Sequence, residues 1–480
     1  MADYAPLHLL IDGRRLTANG RDAIDVLDPA SGGVIGSLPS ASVADLDEAL
    51  GAAERAFRIW RSVSPPERGA LISRAAALLR GRTDAVARTI SREEGKPISE
   101  AVAEVGFTLD VLEWHADLAK EIKDRPLPPR IPGACSIVMR EPIGPVAAFT
   151  PWNLPIFLAG RKIVTAIAAG CSIVIKPAEE TPASLLMLAE CFLEAGLPNG
   201  ALNVVYGDPS LISTHLITSD VIRKVSFTGS TTVGRQLGAL AGEYCKPITM
   251  ELGGHAPVLI FADADIDAAI EATVPSKFAN AGQICIAPTR FYVHDSLHDR
   301  FVEQFAERSR SLKVGAGDIG GVQMGPLANS RRIDALSAHV QDALARGATL
   351  ATGGERIGNE GFFFQPTVLA DVPDDAIAMN QEPFGPVALT ARFSSIDEAI
   401  DKANRLPYGL AAFAFTGSAT IAQTVADQVE AGMIGVNTTW VAMPEAPFGG
   451  VKASGFGREG GIEGIEAYLS PKFLHQLPAA

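Results

Sequence analysis

Between Val146 and Gly234, short β-rich runs alternate with segments of helical periodicity. Val146 to Thr150, Ser172 to Ile175, Leu202 to Tyr206 and Lys224 to Phe227 read as strands. Phe157 to Ala169 reads as a helix. A second helix starts at Thr181 and Pro182, which suit the N-cap and first helical positions, and ends near Gly196 and Pro198. Gly229 opens a third. Strands and helices alternating at this spacing must be joined by crossovers, which give a parallel sheet covered by helices on both faces. The alternation resumes after Gly253, with Val258 to Phe261 as a strand and a helix capped by Asp295 and Ser296 that runs to about Lys313. Two α/β units are expected.

Upstream, Ser42 and Asp45 form a capping-box pattern for a helix through Leu46, Leu50, Phe57 and Trp60, which Pro65 and Pro66 should stop. Further helices are expected over Arg68 to Arg92 and Ser99 to Lys120. The segment Lys123 to Pro132 carries four prolines and reads as a boundary, followed by a strand from Ala134 to Arg140. With 47% apolar and 20% charged residues, the chain is too apolar for disorder. Its 41 basic and 55 acidic residues give a net charge of −14, which argues against nucleic-acid or anionic-membrane partners. No apolar run reaches the roughly 20 residues of a membrane helix. Five cysteines do not suggest a disulfide framework, so a soluble cytoplasmic protein is expected.

Several patterns are decoys. G-x-G-x-x-G occurs at Gly315, Gly317 and Gly320, and again at Gly455, Gly457 and Gly460. That fingerprint works where a strand delivers the chain to a helix N-terminus facing a pyrophosphate. The first match follows a helix, and the second sits in a glycine-rich loop with no strand before it. His294 and His298 have metal-ligand spacing, but Asp295 as a helix cap would leave His294 outside the helix. No metal site is expected.

Four segments combine reactive side chains with glycine or proline punctuation: PWNLP from Pro151 to Pro155, KPAE from Lys176 to Glu179, FTGSTTVG from Phe227 to Gly234, and ELGG from Glu251 to Gly254. NAGQIC follows the last, placing Cys285 34 residues after Glu251. Singly, each has a plain structural reading: a buried thiol, a solvated carboxylate, a surface lysine, a turn former. Three of them stand at successive strand ends, however, and strand ends of such sheets converge on one cleft.

Together these segments resemble the aldehyde dehydrogenase superfamily, from the IDG at Ile11 to the PFGGVKASGFGREGG at Pro447 to Gly461, with EPFGPV at Glu382 to Val387 between. The resemblance implies an α/β fold: a Rossmann-type parallel-sheet cofactor domain over residues 1–122 and 144–252, an α/β catalytic domain over 253–450, and a small β oligomerisation arm over 123–143 and 466–480. It implies Cys285 as the nucleophile that forms a thiohemiacetal and then a thioester, with Asn153 and the Cys285 N–H as oxyanion donors. Glu251 matches the water-activating base and Lys162 a lysine near the site. Thr150, Pro151, Trp152, Phe227, Thr228, Gly229, Ser230, Gly234 and Leu252 match cofactor neighbours. Lys176 and Glu179 match contacts to the adenosine ribose, where a carboxylate favours NAD without excluding NADP. Glu382 matches the residue that holds the nicotinamide ribose, with Phe384 beside it. A homodimer or homotetramer is implied.

EGKPISEA at Glu94 to Ala101, Arg161 eight residues after Asn153, and the C-terminal motif are most similar to the succinate-semialdehyde dehydrogenase branch. There, Arg161 would bind a substrate carboxylate. The chain departs from that branch at Ala279, where a second arginine is usual, and at Ala287, where redox-switched members have cysteine. Trp440, Val441 and Met443 near the expected entrance make a larger apolar or aromatic aldehyde the alternative to succinate semialdehyde or another semialdehyde. Cys135, Cys171, Cys191 and Cys245 read as structural. A non-catalytic member of the fold is the alternative of another class, and intact Cys285, Glu251 and Asn153 argue against it.

Overall fold

The computed structural model describes residues 4–477. An eight-stranded sheet runs in the spatial order Arg14–Leu16, Leu9–Ile11, Leu202–Val204, Ile173–Lys176, Val146–Phe149, Lys224–Thr228, Ile248–Glu251 and Gly455–Phe456. Its five central strands are mutually parallel, and the outer strands join antiparallel. Strands buried on both faces by crossover helices need continuous apolar runs, and Val146–Phe149 and Ile173–Lys176 are buried at every position. The register aligns Phe149 with Lys176 and Phe227, and Thr228 with Glu251. The carboxyl ends of these strands therefore lie along one edge.

A second sheet of seven strands runs in the order Thr349–Thr352, Thr367–Ala370, Val387–Phe393, Arg290–His294, Pro257–Ile260, Ala411–Phe415 and Met433–Val436. Only the pair at its first edge is antiparallel. Each sheet has its own apolar core: one draws on residues 7–252 plus Ile465 and Tyr468, the other on residues 256–448. A three-stranded antiparallel sheet pairs Leu469–Gln476 with Cys135–Pro142, and Cys135–Pro142 with Arg125–Pro126. Residues 478–480 of the expected arm lie outside the described residues. Among the described residues, no helix is long and apolar enough to cross a membrane.

Several local expectations are corrected. Pro65 begins a helix, Pro65–Arg80, rather than stopping one, because proline at the first helical position forfeits no hydrogen bond and Ser64 with Glu67 caps the turn. The region expected as one helix to Arg92 breaks at Gly81, and Thr83–Glu94 is separate. The helix expected from Asp295 begins at His298. The Asp295 N–H still donates to Phe393 O, which holds that residue to the sheet. Gly455–Phe456 is an edge strand, not loop, and a β-carbon at Gly455 would meet Met250 O at 2.0 Å. Its glycine serves that close pairing. Cys135 and Cys245 are exposed, so they do not fill space in a core as Cys171 and Cys191 do.

Candidate active site

The helix Ile266–Phe278 ends in a tight turn at which Asn280 and Ala281 take left-handed backbone angles, with φ 49° and 51°. Gly282 follows at φ 73°, where a β-carbon would sit 2.2 Å from Gly385 O. Only glycine fits there. The turn delivers Cys285 to the boundary of two cavities. One is about 380 Å³ and the other about 530 Å³, and Cys285, Leu158 and Phe448 line both. Burial, reinforced by the Glu382 and Glu251 carboxylates, pushes the half-buried Cys285 thiol up to about 12.

Asn153 follows the strand Val146–Phe149 and precedes the helix Pro155–Ala169. It lines the larger cavity, and its Nδ2 donates to Gln283 O at 2.9 Å. An amide nitrogen carries two hydrogens, so one remains available. Glu251 ends its strand and lines the same cavity. Neither of its carboxylate oxygens has a hydrogen-bond partner among the described residues. Burial and the nearby Glu459 carboxylate hold the Glu251 carboxyl well above the usual range, against Lys162 and Arg161. A β-carbon at Gly449 would sit 2.7 Å from Glu251 Oε1, so that glycine makes room for the carboxylate. Lys162 lines neither cavity. It is buried, paired with Glu459 and donates to Ser226 Oγ at 3.0 Å.

The larger cavity gathers most of the residues expected to face a cofactor. Pro151 and Trp152 line one side, Thr228, Gly229 and Ser230 the strand-to-helix turn, and Leu252 the floor with Glu251. Ser230 Oγ accepts from Val233 N and caps the helix Thr231–Glu243, whose N-terminal turn borders the cavity. Glu382 and Phe384 close the opposite side. Phe384 meets the Trp152 ring edge-on at 5.7 Å. A β-carbon at Gly253 would come within 2.8 Å of Glu382 Oε2. Burial pushes the Glu382 carboxyl up to about 8.

Other expected cofactor residues lie behind this surface. Thr150 and Phe227 are buried, and a β-carbon on Gly229 would strike the Phe227 ring at 2.5 Å. Gly234 packs under Leu252, which a β-carbon would meet at 2.3 Å, and it does not line the cavity. Lys176 and Glu179 pair with each other at 2.5 Å and line neither cavity.

The smaller cavity is walled by aromatic rings. Phe107, Phe157, Trp440 and Phe448 line it, with Phe107 and Trp440 in contact at 5.3 Å between centroids. Met443 does not line it. Arg161 is 1% exposed and lies behind this wall, its guanidinium 4.6 Å from the Phe157 ring centre and 4.9 Å from that of Phe448. None of its three nitrogens has a hydrogen-bond partner among the described residues. Buried donors left unpaired are costly and call for an explanation.

Sequence reasoning gave no role to Glu459, although it lies in the quoted C-terminal motif and lines the larger cavity. It also missed Arg332, which donates to Phe384 O at 3.1 Å, and Lys277, a buried amine with no hydrogen-bond partner among the described residues, which burial pushes down to about 7. Pairings such as Lys162 with Glu459, 297 residues apart, leave no local pattern to read.

A two-sheet α/β fold in which a tight turn after a helix sets one thiol between an aromatic cavity and a glycine-lined cavity is that of a thiol-dependent dinucleotide enzyme. The chain belongs to the aldehyde dehydrogenase family, whose model matches residues 16–474. It is 46% identical over 478 residues to the 4-(hydroxymethyl)benzenesulfonate dehydrogenase of Comamonas testosteroni, covering 99% of each chain. It is 41% identical over 465 residues to the NADP(+) succinate-semialdehyde dehydrogenase of Escherichia coli (strain K12), covering 97% of this chain and 96% of the relative. The solved succinate-semialdehyde dehydrogenase from Burkholderia pseudomallei superposes with a TM-score of 0.97 at 40% identity, over 100% of this chain and 99% of that one.

Proposed function

We propose that this protein oxidises an aldehyde to its carboxylate with NAD(P), through an acyl thioester on Cys285. The observation that carries the reading is the position of Cys285, on the wall shared by the two cavities. An aldehyde in the smaller cavity can meet the sulfur on one side, and a hydride acceptor in the larger cavity can approach the same carbon from the other.

The residues lining the larger cavity suit a dinucleotide. Gly229 and Ser230 offer a helix N-terminus to a pyrophosphate, Glu382 offers a carboxylate to ribose hydroxyls, and Gly253 leaves room for close approach. Bound there, the nicotinamide would supply the hydride acceptor. The Glu179 carboxylate, paired with Lys176, would have to turn to the adenosine ribose to accept its hydroxyls, an interaction that favours NAD without excluding NADP.

The resting thiol is protonated. Glu251, with both oxygens free, takes its proton as the sulfur adds to the aldehyde carbon. The remaining Asn153 amide hydrogen and the Cys285 N–H stabilise the oxyanion. Collapse of that oxyanion expels hydride and leaves the thioester. Glu251, deprotonated again, removes a proton from water, which attacks the thioester carbon and releases the acid and the thiol. Lys162 and Glu459 sit behind Glu251 and set its proton affinity.

The aromatic wall favours an aldehyde with an apolar or aromatic body, and the unpaired Arg161 behind it would receive an acidic group from a substrate that parts the Phe157 and Phe448 rings. Such a group would satisfy donors that the protein itself leaves unpaired. Cytoplasmic residence, and assembly into dimers or tetramers through the exposed Phe473 and Leu474 of the strand Leu469–Gln476, complete the reading. An NADH-formation screen with benzaldehyde, 4-formylbenzoate and succinate semialdehyde tests it. Turnover is expected, fastest per KM with 4-formylbenzoate. No reduction of NAD or NADP with any of them would remove the reading.

A further inference from the structure

Beside Asn153 lies a buried polar network built from the EGKPISEA segment. Lys96 is 1% exposed, and its ammonium donates to Glu104 Oε2 at 2.6 Å and to the backbone carbonyl of Asn153 at 2.8 Å. Asn280 Nδ2 gives that carbonyl a second hydrogen bond, also at 2.8 Å. The Asn280 N–H is held in turn by Glu100 Oε2 at 2.7 Å. The other oxygen of Glu104 accepts the backbone N–H groups of Ile156 and Phe157, at 3.0 and 3.3 Å, and so fixes the first turn of the helix that carries Arg161 and Lys162. At its side-chain end, Asn153 is tied to Gln283 O, while Gln283 Oε1 accepts from Ala328 N at 3.0 Å.

A buried ion pair is weak evidence of stabilisation, because well-packed apolar residues of similar size often do as well. What an apolar residue cannot do is grip a carbonyl oxygen. The carbonyl gripped here belongs to the residue whose side chain is the proposed oxyanion donor. A donor misplaced by a fraction of an ångström loses most of its value to a developing charge.

We infer that Lys96 is a positioning residue for the aldehyde oxidation proposed above: its ammonium pins the Asn153 carbonyl and so fixes where the free Asn153 amide hydrogen points. The inference rests on that reading of the site. Glu104 makes the arrangement rigid by tying the same ammonium to the helix start. Lys96 also lines the smaller cavity, but the role assigned to it is exerted through Asn153.

A double-mutant cycle tests this. Lys96→Met is placed in the wild-type chain and in an Asn153→Ala background, and the single-turnover burst of NADH is measured per titratable Cys285 thiol. In the wild-type chain the burst rate is expected to fall roughly tenfold to hundredfold, the worth of a hydrogen bond to a charged group. In the Asn153→Ala background the further fall should stay below about threefold, because the residue through which Lys96 acts is already gone. NAD affinity should change less than about twofold in either. A merely structural lysine would cost the same in both backgrounds, and that result overturns the role. So does a wild-type burst rate in Lys96→Met. If Lys96→Met does not fold, Asn280→Gly keeps the left-handed backbone and removes the second donor to the same carbonyl. It must show the same dependence on Asn153, and equal losses in both backgrounds overturn the role. A native chain that gives no burst with any aldehyde overturns the functional reading and this role with it. A native burst matched by Lys96→Met overturns this role alone.

Discussion

Lys162 and Glu459 form an ion pair behind Glu251, with side chains 0% and 6% exposed. Its two charges act on Glu251 in opposite senses: Glu459 raises the carboxyl and Lys162 lowers it, while burial raises it most. A base held high is protonated over more of the neutral range, so the pair sets the pH at which Glu251 can accept a proton.

Removing the negative member should shift that range. With Glu459→Gln, burial still raises Glu251, but the repulsion is gone and Lys162 is unopposed. The Glu251 carboxyl then falls, and the acid limb of the deacylation rate should move to lower pH by roughly one unit. The check is a pH profile of steady-state NADH formation with an aldehyde whose deacylation limits turnover. A limb that stays in place, or moves to higher pH, contradicts the coupling.

Glu382 gives a second pH dependence. With its carboxyl near 8, it is largely protonated at neutral pH in the free protein. The carboxylate, not the acid, accepts hydrogen bonds from two ribose hydroxyls. NAD should therefore bind more tightly as pH rises from about 7 to about 9, by roughly tenfold at most if the carboxylate form alone binds well. Fluorescence titration of NAD across that range measures it, and Glu382→Gln should flatten the slope.

Arg161 should discriminate among aldehydes. If its unpaired guanidinium receives the acidic group, Arg161→Met should raise KM for 4-formylbenzoate and succinate semialdehyde roughly tenfold to hundredfold. The KM for benzaldehyde should change about threefold or less. Equal effects on all three would assign Arg161 to packing between Phe157 and Phe448.

The aromatic wall makes the complementary claim. Trp440 is 56% exposed and touches Phe107 at the cavity rim. Trp440→Ala should raise KM for benzaldehyde roughly threefold to tenfold through lost ring contact. A short aliphatic aldehyde should be affected less, and parallel KM measurements separate the two.

Much of this site was readable because its parts are local. Parallel strands buried on both faces must be continuous apolar runs, so Val146–Phe149 and Ile173–Lys176 announced themselves, and the first leads into Asn153, which shares a cavity with Glu251 at the end of the separate strand Ile248–Glu251. Local sequence failed where the partner is remote. Nothing near Lys96 points to the carbonyl 57 residues away, and nothing near Lys162 points to Glu459. Pro65 was misjudged because proline ends a helix or begins one according to its position, and only the capping box at Ser64 and Glu67 decides. Cys135 and Cys245 show the limit of composition: thiols are buried on average, but these two are exposed.

The central claim is an acyl thioester on Cys285, and it can be weighed directly. The Glu251→Gln variant, which must form its thiolate without the base and so acylates slowly but deacylates more slowly still, is mixed with NAD and 4-formylbenzoate, quenched in acid once NADH formation levels off, digested and examined by mass spectrometry. The account predicts one NADH per subunit and a peptide containing Cys285 heavier by the aldehyde less two hydrogens, the acyl group having replaced the thiol hydrogen. One NADH per subunit with an unmodified Cys285 peptide, or with the acyl group on another residue, would contradict it.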